Sequence, residues 1–291
     1  MKLEYIVNNL TEYSTVKELL KQEFLLSDRL IIKLKKNNQI YLNNKTTFVN
    51  KKLEIGDTIL IILDFEETCN NIVPTKIALD ILYEDEGLLI INKPSFMPVH
   101  PSMDHYDDSL SNGVKYYFNS IGLKRKIRPV NRLDKNTSGI VIFAKNEYIQ
   151  ECLIKQMKDN TFEKEYIALV DGFIDKQEQI VEAPIVRKEN SIIERCINPN
   201  GENAITIIKL LKTYINYSLV QCILKTGRTH QIRVHTSYIG HPILGDDLYG
   251  NKSDKINRQA LHAYKISFIH PIMNNKLEIT AKIPKDIESL I

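Results

Sequence analysis

The feature that most limits the fold is a succession of short apolar segments after residue 80. They read ILYED (81–85), LLIINKP (88–94), GIVIFAK (139–145), EYIALVDG (165–172), AITIIKLLKTY (204–214), YSLVQCIL (217–224), LHAYKISF (261–268) and LEITAKI (277–283). Their lengths and their β-branched and aromatic content predict strands. Helical spacing appears only in SLSNGVKYYFN (109–119), in EYIQECLIKQMKD (147–159) and on the stretch opened by the Gly-Arg turn at 227–228. Strands without regular helical crossovers exclude a doubly wound sheet, and they predict an α+β domain over 78–291 with a mixed, largely antiparallel sheet. Neither GxxxxGK[ST] nor GxGxxG occurs, so the expected cofactor is none.

A smaller α/β unit is predicted over residues 1–66. Segments 15–24 and 27–37 have helical spacing, the second opened by Ser27 as an N-cap, and 40–45 and 57–63 read as strands, the first running into an Asn-Asn turn. Periodicity is lost across DFEETCNNIVPTK, and the linker is set at 67–77. Arg29, Lys33, Lys35, Lys36, Lys45, Lys51 and Lys52 crowd this unit with only Asp28 in opposition. Such a run is either a solvated face or a surface for a polyanion.

With 43% hydrophobic and 26% charged residues in 291, the composition is that of a globular protein. No stretch approaches the roughly 20 apolar residues of a membrane span. The start, MKLEYIVNNLTEYS, lacks the apolar core of a signal peptide, which predicts a cytoplasmic chain, with a monomer as the default. Four cysteines without a CxxC pair predict reduced thiols rather than disulfides or zinc. The net charge of +3 permits a nucleic-acid partner without requiring one.

Three polar stretches are not accounted for by core building. In NRLDKNTSG (131–139) a lone carboxylate, Asp134, follows Arg132 and precedes a Thr-Ser-Gly turn and an apolar run. It is either a turn former or an acid placed for chemistry. In EKEYIALVDG (163–172) alternation sets Tyr166 on one face with Ala168 and Val170, as core or as a presented ring. In GRTHQIRVH (227–235), Arg228, His230, Gln231, Arg233 and His235 invite an anion or an RNA backbone, or supply a fixed partner for a carboxylate. His230, His235 and His241 make a poor metal set, because a spacing of five does not share a helical face and no acid or thiol completes it.

Taken in order, INKPSFMPVHP, NRLDKNTSG, KEYIA, GRTHQIRVH, GHPILGDDLYG and LHAYKISFIHP resemble the RluA-type pseudouridine synthases across residues 78–285. SDRLIIKLKKNNQIYLNNKTTF and LEIGDTI resemble an S4 RNA-binding domain. The resemblance implies an isomerase that converts uridine to pseudouridine in structured RNA, with 23S ribosomal RNA ahead of transfer RNA. It implies Asp134, Tyr166 and Arg233 as catalytic residues: the acid, a ring stacked on the target base, and a cation partner for the acid. Arg132 would fill the space left by the extruded base. Arg228, His230 and, on the S4-like unit, Arg29, Lys33 and Lys36 would bind RNA, with no metal. The family has His where this chain has Asn131, and Asn38 and Asn44 stand where the S4 pattern has glycine. A silent RNA-binding or ribosome-assembly factor on the same fold, and a nucleosidase that releases free uracil, are the competing classes.

Overall fold

A computed structural model describes residues 1–9 and 13–291. The N-terminal unit comprises β1 (Lys2–Ile6), α1 (Val16–Gln22), α2 (Asp28–Lys36), β2 (Ile40–Leu42), β3 (Lys45–Thr46) and β4 (Thr58–Ile62). Its strands form an antiparallel sheet in the order β1-β4-β2-β3. Ser27 caps α2 by accepting from the Leu30 amide, and Thr15 with Glu18 forms a capping box on α1. The turn between β2 and β3 is made by Asn43 and Asn44, with φ of 50° and 63°, and Asn38 has φ of 53°. Asparagine tolerates this left-handed backbone better than other non-glycine residues, which explains why the turns survive without glycine.

The larger unit runs β5 (Ile81–Glu84), β6 (Leu88–Lys93), α3 (Leu110–Ser120), β7 (Ser138–Ala144), α4 (Glu147–Lys158), β8 (Glu163–Asp171), β9 (Glu178–Glu182), β10 (Ile185–Arg187) and β11 (Arg195–Ile197). It continues with β12 (Ile205–Thr213), β13 (Tyr217–Leu224), α5 (Gln231–Tyr238), β14 (Leu261–Ile269), β15 (Lys276–Thr280) and α6 (Lys285–Glu288). Nine strands form one sheet in the order β5-β6-β7-β14-β8-β13-β12-β9, with β15 beside β14, while β10 and β11 pair separately. Only β7 and β14 are parallel, as the lack of crossover helices led us to expect. The strands β1, β9, β10 and β11 and the helix α6 lay outside the sequence reading, because they are short and carry weak periodicity.

β7 is buried along its whole length. Ile140, Ile142 and Ala144 face α4 and the N-terminal unit, whereas Val141 and Phe143 pack with Leu110, Val114 and Phe118 of α3. Burial on both faces is why the segment reads as an unbroken apolar run, and each such side chain contributes about 1.5–3 kcal/mol. Gly139 has φ of +114°, and a Cβ there would lie 2.3 Å from the Ala263 carbonyl oxygen on β14. The glycine is therefore demanded by the close approach of β14. Ser138 and Gly139 belong to an interior strand, not to a turn at the sheet edge.

The two units share one apolar core, in which Leu30 and Leu34 of α2 belong to the same cluster as Tyr148 and Leu153 of α4. Between them Glu67, buried in the predicted linker, is gripped by Arg128 at 2.6 and 2.7 Å and by Lys33 at 2.6 Å. Burial alone would raise the Glu67 carboxyl, but the bonds and charges of Arg128 and Lys33 outweigh it and hold it at about 2. The folded pKa lies below the open-chain value of 4.5, so this stabilisation is present above pH 4.5 and is lost as the pH falls toward 2. Glu67→Gln should lose about 3 kcal/mol of stability at neutral pH, and the gap to the wild type should close across that acid window. Urea melts of both proteins at several pH values would check it, and coincident curves at pH 7 would refute it.

Candidate active site

Asp134 lies just ahead of β7, where several buried groups fix the loop it sits on. Lys93 donates to the Lys135 carbonyl at 3.0 Å, Arg258 to the Asn136 carbonyl at 3.1 Å, and Gln259 to the Thr137 hydroxyl at 3.1 Å. Arg258 is itself held by Asp286 at 2.7 and 3.0 Å. Burial, and next the charge of Arg258, pull the Lys93 ammonium down to about 7. The side-chain amide of Asn131 pairs with the backbone of β7, its Nδ2 donating to the Ile140 carbonyl and its Oδ1 accepting from the Ile142 amide, both at 2.9 Å. The asparagine thus joins the segment that carries Arg132 to the sheet.

Arg233, in the first turn of α5, donates to the Asp134 carboxylate at 3.0 Å. Its other nitrogens clasp Asp246 at 2.7 and 2.8 Å, and the Asp246 side chain is fully buried. Burial works against the charge of Arg233, but the bonds and charges of Asp246 and then Asp134 overcome it and hold the guanidinium ionised. Asp246 thereby aims a rigid fork whose remaining arm meets Asp134.

His230 caps α5 with an unusual φ of 58°, and its Nε2 is 3.7 Å from Asp134. The His230 Nδ1 meets the Tyr249 hydroxyl at 2.8 Å, and that hydroxyl accepts the Arg195 amide at 2.8 Å. With the phenolic hydrogen pointed at Nδ1, a neutral ring carries its proton on Nε2, the nitrogen nearer Asp134. Burial lowers the His230 pKa first, with Asp134 opposing, which favours this neutral ring. Tyr166 on β8 lines the same small cavity as Asp134 and Arg233. Burial, and next the negative charge of Asp134, push its hydroxyl well up from the usual range, so at neutral pH it is a phenol.

Residues 87–238 match the family described as RNA pseudouridylate synthase. The uncharacterized RNA pseudouridine synthase YjbO of Bacillus subtilis is 37% identical over 270 residues, covering 92% of this chain and 95% of that protein. The chain belongs to the RNA pseudouridylate synthase family. It is an isomerase acting on RNA. The ribosomal large subunit pseudouridine synthase D of Zymomonas mobilis is 38% identical over 232 residues, covering 75% of this chain and 73% of that one. A solved structure of human RNA pseudouridylate synthase domain containing 1 superposes with a TM-score of 0.59 at 27% identity, covering 70% of this chain and 83% of the other.

A groove of about 990 Å³ leads from the synthase's Asp134 along Arg132, Lys158, Lys164, Arg187, Arg195, Lys225 and Arg228. Among these, Arg228 pairs with Glu202, whereas the others form no ion pair among the described residues. Elsewhere on the molecule Arg29, Arg125, Arg128, Arg233 and Arg258 are each ion-paired, so unpaired arginine charge gathers along this groove, where a polyanion would pass. The N-terminal cations are placed differently from expectation. Lys33 faces the larger unit, 2.6 Å from Glu67 and 3.5 Å from Glu147, so its charge is spent inside the chain. Arg29 is 82% exposed with its Nε 3.3 Å from Glu147, and Lys36 is exposed. Carboxylates 34 and 114 residues away close on Lys33, and no local sequence pattern could reveal them.

The structure brings Asp134, Tyr166, Arg233, Arg132, Arg228 and His230, all singled out from the sequence, to one cavity wall; the sequence reading missed Lys93, Asp246, Tyr249 and Arg258. Three of these had a signal: Lys93 stands in INKP, and Asp246 and Tyr249 in GHPILGDDLYG. Arg258 stands in no motif. Among the described residues no helix is long and apolar enough to cross a membrane, and no cluster of three metal-ligating side chains forms.

Proposed function

We propose that this synthase isomerises uridine in large-subunit ribosomal RNA, with Asp134 as the acid that opens the reaction. The observation that carries this reading is the 3.0 Å contact of Asp134 with an arginine locked by a second carboxylate, at the head of a groove of unpaired cations. The N1–C1′ bond of uridine must break, the base must turn, and a C5–C1′ bond must form while the C5 proton leaves and N1 gains one. Asp134 as a carboxylate can begin this by attacking C1′ or by taking a sugar proton. Arg233 holds the carboxylate in place through a charge-assisted hydrogen bond. Tyr166, as a phenol, supplies an aromatic face for the base.

The target nucleotide must leave its stack, which costs about a few kcal/mol; Arg132, which lines the groove, is the residue that fills the vacated space in this reading. The N-terminal unit, read as S4-like, adds phosphate contacts through Arg29 and Lys36. The name of the Zymomonas mobilis relative supports the ribosomal substrate. Tritium release from C5-tritiated uridine, run separately in unmodified large-subunit ribosomal RNA and in transfer RNA, tests this directly. Release from the ribosomal pool alone is expected, and release from transfer RNA alone would overturn the substrate assignment.

A further inference from the structure

The β10–β11 hairpin stands apart from both sheets, and its register carries an electrostatic oddity. Ile185 faces Ile197 and, two residues along, Arg187 faces Arg195. Alternation places both pairs on one face of the ribbon. The inner pair packs with Val234 of α5 and against Tyr249, in a small core cluster of its own. The hairpin is pinned there by the Arg195 amide on the Tyr249 hydroxyl at 2.8 Å. Both arginines of the outer pair line the groove that ends at Asp134.

Like charges directly opposite on two strands repel one another. The ion pairs at this hairpin, Lys188 with Glu194 and Arg228 with Glu202, leave both arginines out. Among the described residues the Arg195 side chain donates from Nη1 to the carbonyls of Ile193 and Glu194, both at 3.1 Å, which orients the guanidinium while its Nε and Nη2 make no hydrogen bond. Two guanidinium groups held at one register, on an anchored ribbon, make an unrelieved site for anions with two acceptor oxygens. A phosphodiester has that geometry.

We propose that Arg187 and Arg195 form a clamp for backbone phosphates of the RNA strand that delivers the target nucleotide to Asp134. The clamp rests on the RNA-isomerase reading above and adds a specific binding site to it. It grips without reading bases, so it is indifferent to sequence and sensitive to salt. Its position one hairpin away from the catalytic carboxylate means that a strand held there is already aligned with the cavity.

The full-length chain would be titrated with two probes, a transcript of bacterial large-subunit ribosomal RNA and a plain RNA duplex, between about 50 and 200 mM salt. For the double variant Arg187→Met/Arg195→Met, the slope of log affinity against log salt on the duplex should fall by about 1.8, or about 0.9 for each lost phosphate. Affinity should weaken by about tenfold per contact near 0.1 M salt, appearing as a raised KM with kcat kept. Arg187→Lys/Arg195→Lys should keep the slope, because charge is retained, and it controls for folding of the hairpin. A Met double variant with the wild-type slope on both probes overturns the clamp. So does loss of kcat at saturating RNA with the slope unchanged, which would assign the arginines to the support of Tyr249 and His230. Failure of the wild type to isomerise ribosomal RNA would count against the substrate reading alone, since the duplex slope still decides the clamp.

Discussion

Asp134→Asn is expected to abolish pseudouridine formation, by at least about a thousandfold in kcat, while RNA affinity stays within about threefold of the wild type. The amide keeps the size of the carboxylate and can still accept from Arg233, which meets the wild-type oxygen at 3.0 Å. It cannot attack C1′ or take a sugar proton, so the loss falls on chemistry and not on binding. RNA contacts spread along the cations of the groove are untouched by the change. Tritium release and filter binding on the same preparation would separate the two effects. Normal turnover would remove Asp134 from the mechanism. Free uracil in the supernatant of the wild-type reaction would instead indicate a nucleosidase.

Asp246→Ala should be the most damaging change outside the reacting groups. The Asp246 side chain is fully buried and accepts two bonds from Arg233, and it also accepts from the Leu248 and Tyr249 amides at 3.1 and 3.2 Å. Its removal leaves a buried guanidinium with Asp134 as its remaining partner and frees the loop that carries Tyr249. Breaking one side of a buried pair costs about 3–5 kcal/mol. Arg233 is also released to turn, so kcat should fall even at temperatures where the variant is folded. A urea melt with activity measured on the folded fraction checks both, and a stability change below about 1 kcal/mol would contradict the account.

Much of this protein was legible from local pattern. The strands of the main sheet are amphipathic or continuously apolar over a few residues, and that signal survives without knowledge of what they pack against. The largely antiparallel sheet followed from the scarcity of crossover helices, and Asp134, Tyr166 and Arg233 were singled out by the family resemblance of the short motifs that hold them, whereas the groups that fix them were not. Lys33 marks the limit. Its helix reads as a basic face, yet Glu67 and Glu147 come to it from 34 and 114 residues away. An ion pair depends on distance in space, and spacing along the chain does not report it.

By itself the sequence determined which side chains are available for the chemistry and which segments must be strands, because both depend on residue type and near-neighbour periodicity. Only the tertiary structure decided that Gly139 is required by the backbone of β14, that Asp246 aims Arg233, and that Arg187 and Arg195 face each other above the groove. It also decided that Glu67, at the start of the linker, is an ion-pair junction and that α2 is docked on the larger unit. Each of these is a contact between segments distant in sequence. Their energies come from burial and close approach, which exist only once the chain has closed on itself.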